Sequence, residues 1–241
     1  MAIPGLSLFE RVFFRNYRLS GNSGTCSGNI HEYSKGFHFR EVFRTMKVKR
    51  QEQIRAFLIE ELGQDRGRAL FDKQEQLFHS LIKSENTGNK SKSQQKTLIQ
   101  TILPCVALYK TLLQEGFSEE ETSAYLQKYM FTIVGANMHS SMAKMERIPG
   151  FYFLYSSIFR KVMRSSDLHE STQDHTRDSF DVTITKCLWY TACVENDCPK
   201  LCHIFCDADN VTYGGLKKMA FSRTKTLGYG EDCCDFHFTR K

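Results

Sequence analysis

The hydrophobic positions change period once along the chain. From about residue 41 to residue 165 they recur at three- and four-residue steps, the spacing of one helix face. Val42, Phe43 and Met46 lead into Ile54, Phe57, Leu58 and Leu62, and Gly63 is placed to stop that helix. Ala69, Leu70, Leu77, Phe78, Leu81 and Ile82 mark a second helix, ended by the polar run "SENTGNKSKSQ". Leu98, Ile99, Ile102, Leu103, Val106, Leu108, Tyr109, Leu112 and Leu113 mark a third, closed by Gly116. Pro104 inside it predicts a kink or a split, because proline lacks a backbone donor and crowds the preceding turn. "FSEEET" reads as a capping box, with Ser118 accepting from the Glu121 N–H and Glu121 reaching back. Its acidic first turn also suits the positive end of a helix. That helix is expected to run to about Met145. "ERIPGF" breaks it, and Pro149 favours the start of a last helix ending near Arg164.

At about residue 176 the period becomes two. In "SFDVTITKCLWY" Phe180, Val182 and Ile184 alternate with Asp181, Thr183 and Thr185, a half-buried strand. "KKMAFSRTKTLGYG" and "CCDFHFTRK" read as two more strands, joined as a hairpin at "GYGED". The cysteine-rich stretch between reads as helical or tightly turned, starting around Pro199. The pattern therefore predicts an α+β fold: an N-terminal helical part packed against a small, mainly antiparallel C-terminal sheet with an embedded Cys-rich helix. Residues 41–241 are expected to form a single domain, helical over 41–165 and sheet plus Cys-rich helix over 176–241. Residues 1–40 contain "SGNSGTCSGN" and are expected to be a poorly structured extension. A short amphipathic helix over residues 6–18, and a natural start at Met46, are also compatible with the pattern.

Composition narrows the function classes. A chain of 241 residues can bury a sizeable core. With 41% hydrophobic and 25% charged residues it resembles an ordinary soluble protein and argues against global disorder. The net charge of +6 is spread along the chain, so it favours the approach of an anionic small molecule and gives little reason to expect nucleic acid. No apolar run approaches the ~20 residues that span a bilayer, so no membrane partner is expected. "MAIPGLSLFERVFFRNYRL" carries Glu10, Arg11 and Arg15 within its apolar stretch and lacks the order of a signal peptide. The expected compartment is the cytoplasm. There the nine cysteines are expected to be thiols, and their odd number fits. The pattern carries no signal for an oligomeric state.

The candidate chemistry is concentrated in "LCHIFCDADN", residues 201–210, with "TACVENDCPK" before it and "GEDCCDFHF" near the C-terminus. Cys198, Cys202 and Cys206 step by four and form one helical stripe. They span about 12 Å at 1.5 Å per residue, too far to share one ion. No C-x-x-C pair is present. Two of these thiols plus Cys233 or Cys234 remain a candidate ligand set, with zinc the candidate metal. Disulfides conflict with the compartment. Cys105 and Cys187 read as packing residues. A catalytic thiol needs a proton acceptor nearby, which Cys206 and Asp209 supply on neighbouring helical positions. Cys234 and Asp235 are adjacent on a strand, so they point to opposite faces. Arg223 is suited to binding a carboxylate, although alone it reads as a surface strand residue. His139 and His203 are internal histidines, more often structural than catalytic. His237 lies opposite Phe236 and Phe238 and should be exposed.

"CPKLCHIFCDADN" followed by "FSRTKTLGYGEDCCDF" resembles the C-terminal signature of the L-2-amino-thiazoline-4-carboxylic acid hydrolase family. The matching positions are Pro199, Leu201, Phe205, Cys206 and Asp209, then Arg223, Thr224, Thr226, Leu227 and Gly230, then Cys234, Asp235 and Phe236. "ILPCVALYKTLLQEGFSEEE" in the helical half is also similar, so the resemblance covers about residues 45–240. Cys233 doubles the expected cysteine before Asp235. The resemblance implies a hydrolase acting on C–N bonds of a cyclic amidine, opening a 2-amino-thiazoline-4-carboxylate ring to a carbamoyl-cysteine, a step toward cysteine biosynthesis. It implies Cys206, Asp209 and Cys234 as catalytic residues and Arg223, His203 and Asp235 as substrate-binding ones. No cofactor is certain. A divalent metal, if one is held, would fall to Cys206, Cys234 and Cys202. The competing class is a non-catalytic small-molecule or metal-binding module, sensor-like, with a thiol-lined pocket.

Overall fold

The computed structural model describes residues 37–85 and 90–241. The expected extension up to residue 36, including the 6–18 helix and Cys26, lies outside the described residues, as do the side chains at 42, 43 and 46. The first helix, α1 (Phe37–Leu62), starts ahead of the boundary expected at residue 41. It is followed by α2 (Gln64–Glu85), α3 (Lys92–Thr97), a π-helical turn (Leu98–Ile102), α4 (Leu103–Gln114), α5 (Glu119–Lys128), a second π-helical turn (Tyr129–Gly135), α6 (Ala136–Met145) and α7 (Phe151–Ser165). Two strands, β1 (His169–His175) and β2 (Ser179–Cys187), precede α8 (Leu188–Glu195) and α9 (Pro199–Tyr213). Then come β3 (Met219–Ser222), a 3₁₀ turn (Leu227–Tyr229) and β4 (Cys234–Arg240). The α+β expectation holds.

Local chemistry explains the helix starts. Ser118 and Glu121 form the expected capping box, at 3.1 and 2.8 Å. Ser91 and Gln94 form a second one at α3. The kink or split anticipated at Pro104 takes the form of a π turn just ahead of it, between α3 and α4. The proline sits directly after that turn, in the first turn of α4, and the Leu103 N–H reaches back five residues to the Leu98 carbonyl. Buried Gln74 donates to the Pro104 carbonyl at 3.0 Å.

The sheet order is β1-β2-β4-β3, antiparallel throughout. Across β2 and β4, Phe180 faces Phe238, Val182 faces Phe236 and Ile184 faces Cys234. The Phe180 and Phe238 rings stack at 4.5 Å. Tyr155 and Phe159 of α7 and Tyr213 of α9 close over them, so the inner face of the sheet is an aromatic layer. His237 is exposed on the outer face and pairs with Asp181. The buried core is continuous from Ile54 in α1 to Phe238 in β4.

Three boundaries differ from the periodicity. The sheet begins at His169 rather than near residue 176. β1 is an edge strand whose sequence "HESTQDH" is polar at almost every position, so no apolar alternation marks it. The β2 strand stops at Cys187, and "LWY" opens α8 instead of extending the strand. The Cys-rich stretch is thus two helices, turned at Asp197 with a positive φ of 53°. Finally, "KKMAFSRTKTLGYG" is strand only over Met219–Ser222; the rest is a folded connection.

Candidate active site

The site is built from α9, the end of β2, the start of α8 and the connection between β3 and β4. Pro199 at the first position of α9 is pre-set for a helix start. Cys198 caps that helix rather than lying within it, so the expected stripe of three cysteines shortens to Cys202 and Cys206, with Asp209 on the same buried face. The packing of α9 on the second π turn explains Gly135. A Cβ there would lie 2.9 Å from Val211 Cγ1, so a larger residue would push α9 away.

The β3–β4 connection folds inward because Asp235 ties it down. The Asp235 carboxylate accepts from the Thr224 N–H at 2.9 Å, the Thr224 hydroxyl at 2.5 Å and the Lys225 N–H at 2.6 Å. Burial works against its charge, but these donors hold it below the usual carboxylate range. Beyond the clamp, Thr226 donates to the Cys206 sulfur and the Leu227 N–H to the Cys234 sulfur, each at 3.3 Å. The 3₁₀ turn then lays Gly228 directly on the thiols. A Cβ there would lie 2.8 Å from the Cys206 sulfur and 3.2 Å from that of Cys202.

Arg223 leaves the end of β3 and turns in, with a side chain only 7% exposed. Its Nη2 donates to Asp207 at 3.1 Å, and its Nη1 stands 3.6 Å from the Asp209 carboxylate. The Tyr229 hydroxyl donates to the other Asp207 oxygen at 2.7 Å. The Tyr229 ring stacks on His203 at 4.1 Å. Arg223 and Asp209 face a narrow cleft with about 10 Å³ open to the centre of a water-sized sphere. It is lined by Cys187, Trp189, Cys202, Cys206, Asp209, Arg223, Gly228 and Cys234, among others.

Of the residues expected at the site, the fold brings Cys206, Asp209, Cys234, Arg223 and Cys202 to one cleft. His203 and Asp235 are not among its lining residues; they brace Tyr229 and the connection behind it. Arg223 is a buried residue of the connection, not a surface strand residue. Three participants were missed: Asp207, which anchors Arg223, and Trp189 and Cys187. Trp189 and Cys187 fall where strand and helix meet, at a boundary the periodicity placed too late. The signal for Asp207 is "CDAD" itself, whose two carboxylates lie two residues apart on α9.

Burial dominates the electrostatics. Asp209 is 1% exposed, and loss of water pushes its carboxyl up to about 6. Burial also raises the Cys234 thiol. Hydrogen bonding from Cys193 and from Cys206 favours the thiolate at Cys202, whereas Cys206 is pushed up, by Cys202 first and by burial. Cys206 is therefore kept as a thiol. Among the described residues no two cysteines are joined in a disulfide. Among the described residues no group of three or more His, Cys, Asp or Glu side chains is placed to hold a metal ion, the trio Cys202, Cys206 and Cys234 included. Nor, among those residues, is any helix long and apolar enough to cross a membrane.

A buried carboxylate, a buried guanidinium and several thiols thus face one cleft where helices meet a small antiparallel sheet in an α+β protein. The chain belongs to the L-2-amino-thiazoline-4-carboxylic acid hydrolase family, whose sequence profile matches residues 95–238. That span is more than half of the chain and includes every residue that lines the cleft. The family name points to a hydrolase. No curated protein matches the chain.

Proposed function

We propose that this protein hydrolyses a cyclic amidine acid of the 2-amino-thiazoline-4-carboxylate type. The observation that carries this reading is the buried Asp209–Arg223 pair facing the thiol-lined cleft, within the span shared with the family. The guanidinium of Arg223 is fixed through Asp207 and has Nη1 to offer to the substrate carboxylate. Asp209 accepts a proton from the water that attacks C2 of the ring. The resulting tetrahedral carbon carries one oxygen, two nitrogens and the ring sulfur. Expelling the sulfur breaks C2–S, and the sulfur takes up a proton to leave N-carbamoyl-cysteine with a free thiol. Expelling the ring nitrogen would break C2–N and leave S-carbamoyl-cysteine with a free amine. A thiolate, whose acid has a pKa of about 8.5, leaves more readily than an amine anion, so the C2–S route is favoured over a C–N cleavage.

Asp209 returns the proton it took from water to the departing sulfur, with Cys206, held as a thiol beside Thr226, assigned as a hydrogen-bond donor to that sulfur and Cys234 as a wall of the cleft. Loss of the carbamoyl group by a second hydrolysis would yield cysteine, which places the reaction in cysteine formation. The test is ring opening followed by mass and thiol analysis, with and without chelator. Equal rates in both arms argue against a divalent metal such as zinc. Binding of the ring acid with no turnover would favour the non-catalytic binding module. Cys206→Ser with unchanged turnover would remove Cys206 from the mechanism.

A further inference from the structure

Two buried donors, on residues that line this cleft, make no hydrogen bond. One is Nη1 of Arg223 and the other is the indole N–H of Trp189, a residue 1% exposed. A buried N–H without a partner destabilises a fold by about 1–3 kcal/mol, so native proteins rarely keep one. Here both donors belong to residues lining the same space. Trp189 is also held in place. It stands in the first turn of α8, and its ring stacks on His169 of β1 at 5.5 Å, the planes within 7°. Burial lowers the His169 pKa to about 4, so the stacking partner is a neutral ring at physiological pH. The carboxylate of Asp209 is drawn to Arg223, and the remaining lining is largely thiol and aromatic, which leaves Trp189 without an acceptor of its own.

We infer that Trp189 is a ligand-recognition residue, its indole N–H donating to an acceptor atom of a small carboxylate-bearing ligand whose charge Arg223 neutralises. This rests on the proposed hydrolase reading for the identity of the ligand, but not for the bond itself. A donor of this kind specifies by penalty: a ligand with no acceptor there would leave the N–H buried and unpaired. It also gives the edge strand β1, which touches no ligand, a task, since His169 fixes the plane of the indole.

Trp189 is the one tryptophan in the chain, so a ¹H–¹⁵N spectrum contains a single indole resonance. We would titrate the full chain with three probes: L-2-amino-thiazoline-4-carboxylate, L-thiazolidine-4-carboxylate and formate. At least one should move the indole resonance downfield and slow its exchange with solvent, and Trp189→Phe should weaken that probe's affinity about tenfold. An indole resonance unmoved by saturating concentrations of all three overturns the inference, and so does a Trp189→Phe protein that binds as tightly as the parent. A shifted resonance with no hydrolysis supports the role of Trp189 while contradicting the hydrolase reading. Hydrolysis with an unmoved resonance does the reverse. The readout in the parent protein stands even if the variant folds poorly.

Discussion

At the scale of residues, Asp209 carries the sharpest consequence. Its folded pKa of about 6 lies above the ordinary 3.8, so the native state holds the proton more tightly than the unfolded chain. Between about pH 4 and 6 the native state therefore binds more protons, and stability falls as pH rises through that window. Above it the full cost remains, on the order of 3 kcal/mol. Asp209→Asn should be more stable than the parent by about 1–3 kcal/mol at pH 7 and no more stable at pH 4. Its turnover should fall at least about 100-fold. Denaturant melts at pH 4, 5, 6 and 7, paired with rates, check both parts. An Asn variant less stable at pH 7 would place Asp209 in the fold rather than in the chemistry.

The family pattern singled out Cys206, Asp209, Arg223 and Cys234, and these do converge. It also included Asp235, whose carboxylate is used up by Thr224 and Lys225. A signature alone cannot separate a residue that meets a ligand from one that folds the loop beside it, because both need a fixed side chain at a fixed spacing. Trp189 illustrates the opposite failure: its apolar ring reads as core, and only its unpaired N–H sets it apart.

At the scale of elements, the β3–β4 connection closes the site. Cysteine sulfurs lie directly under Gly228, on short and buried side chains that have little room to yield. Gly228→Ala should destabilise by about 1–3 kcal/mol through overpacking. It should also lower turnover, because it displaces Cys206 and Cys202 together. Thermal melts and rates at a temperature where the variant is folded check this; an alanine tolerated in both would mean that the turn does not press on the thiols. The connection was misread as strand because "KKMAFSRTKTLGYG" alternates by composition, while the Asp235 clamp that bends it lies ten residues downstream. β1 escaped for the reason given by its edge position: solvent satisfies its outer groups, so its sequence needs no apolar face. The helices were legible because their apolar residues recur at helical spacing, although α4 is buried almost all round, and because the caps at Ser91 and Ser118 are written in short local motifs.

At the scale of the whole molecule, the helical half supports the site without touching it. The family match begins at residue 95, yet Ile54, Phe57, Leu58, Leu70 and Phe78 of α1 and α2 are buried in the same core as the sheet. Phe78→Ala should cost about 3–5 kcal/mol of stability. At low temperature the remaining folded protein should keep the parent KM, because Phe78 is not among the residues lining the cleft. Melting curves and steady-state kinetics test this, and a raised KM with unchanged stability would contradict it. The continuous core could be anticipated from the helical period, but the docking of α9 against the second π turn could not. That contact depends on the missing side chain of Gly135 and on a register that no local pattern encodes.

Ring-opening hydrolysis at the Asp209–Arg223 cleft can be read as product formation from L-2-amino-thiazoline-4-carboxylate by the purified full chain. N-carbamoyl-cysteine should appear in step with one new free thiol per ring, and not in Asp209→Asn. No ring opening by the folded protein, or undiminished opening by Asp209→Asn, would contradict it.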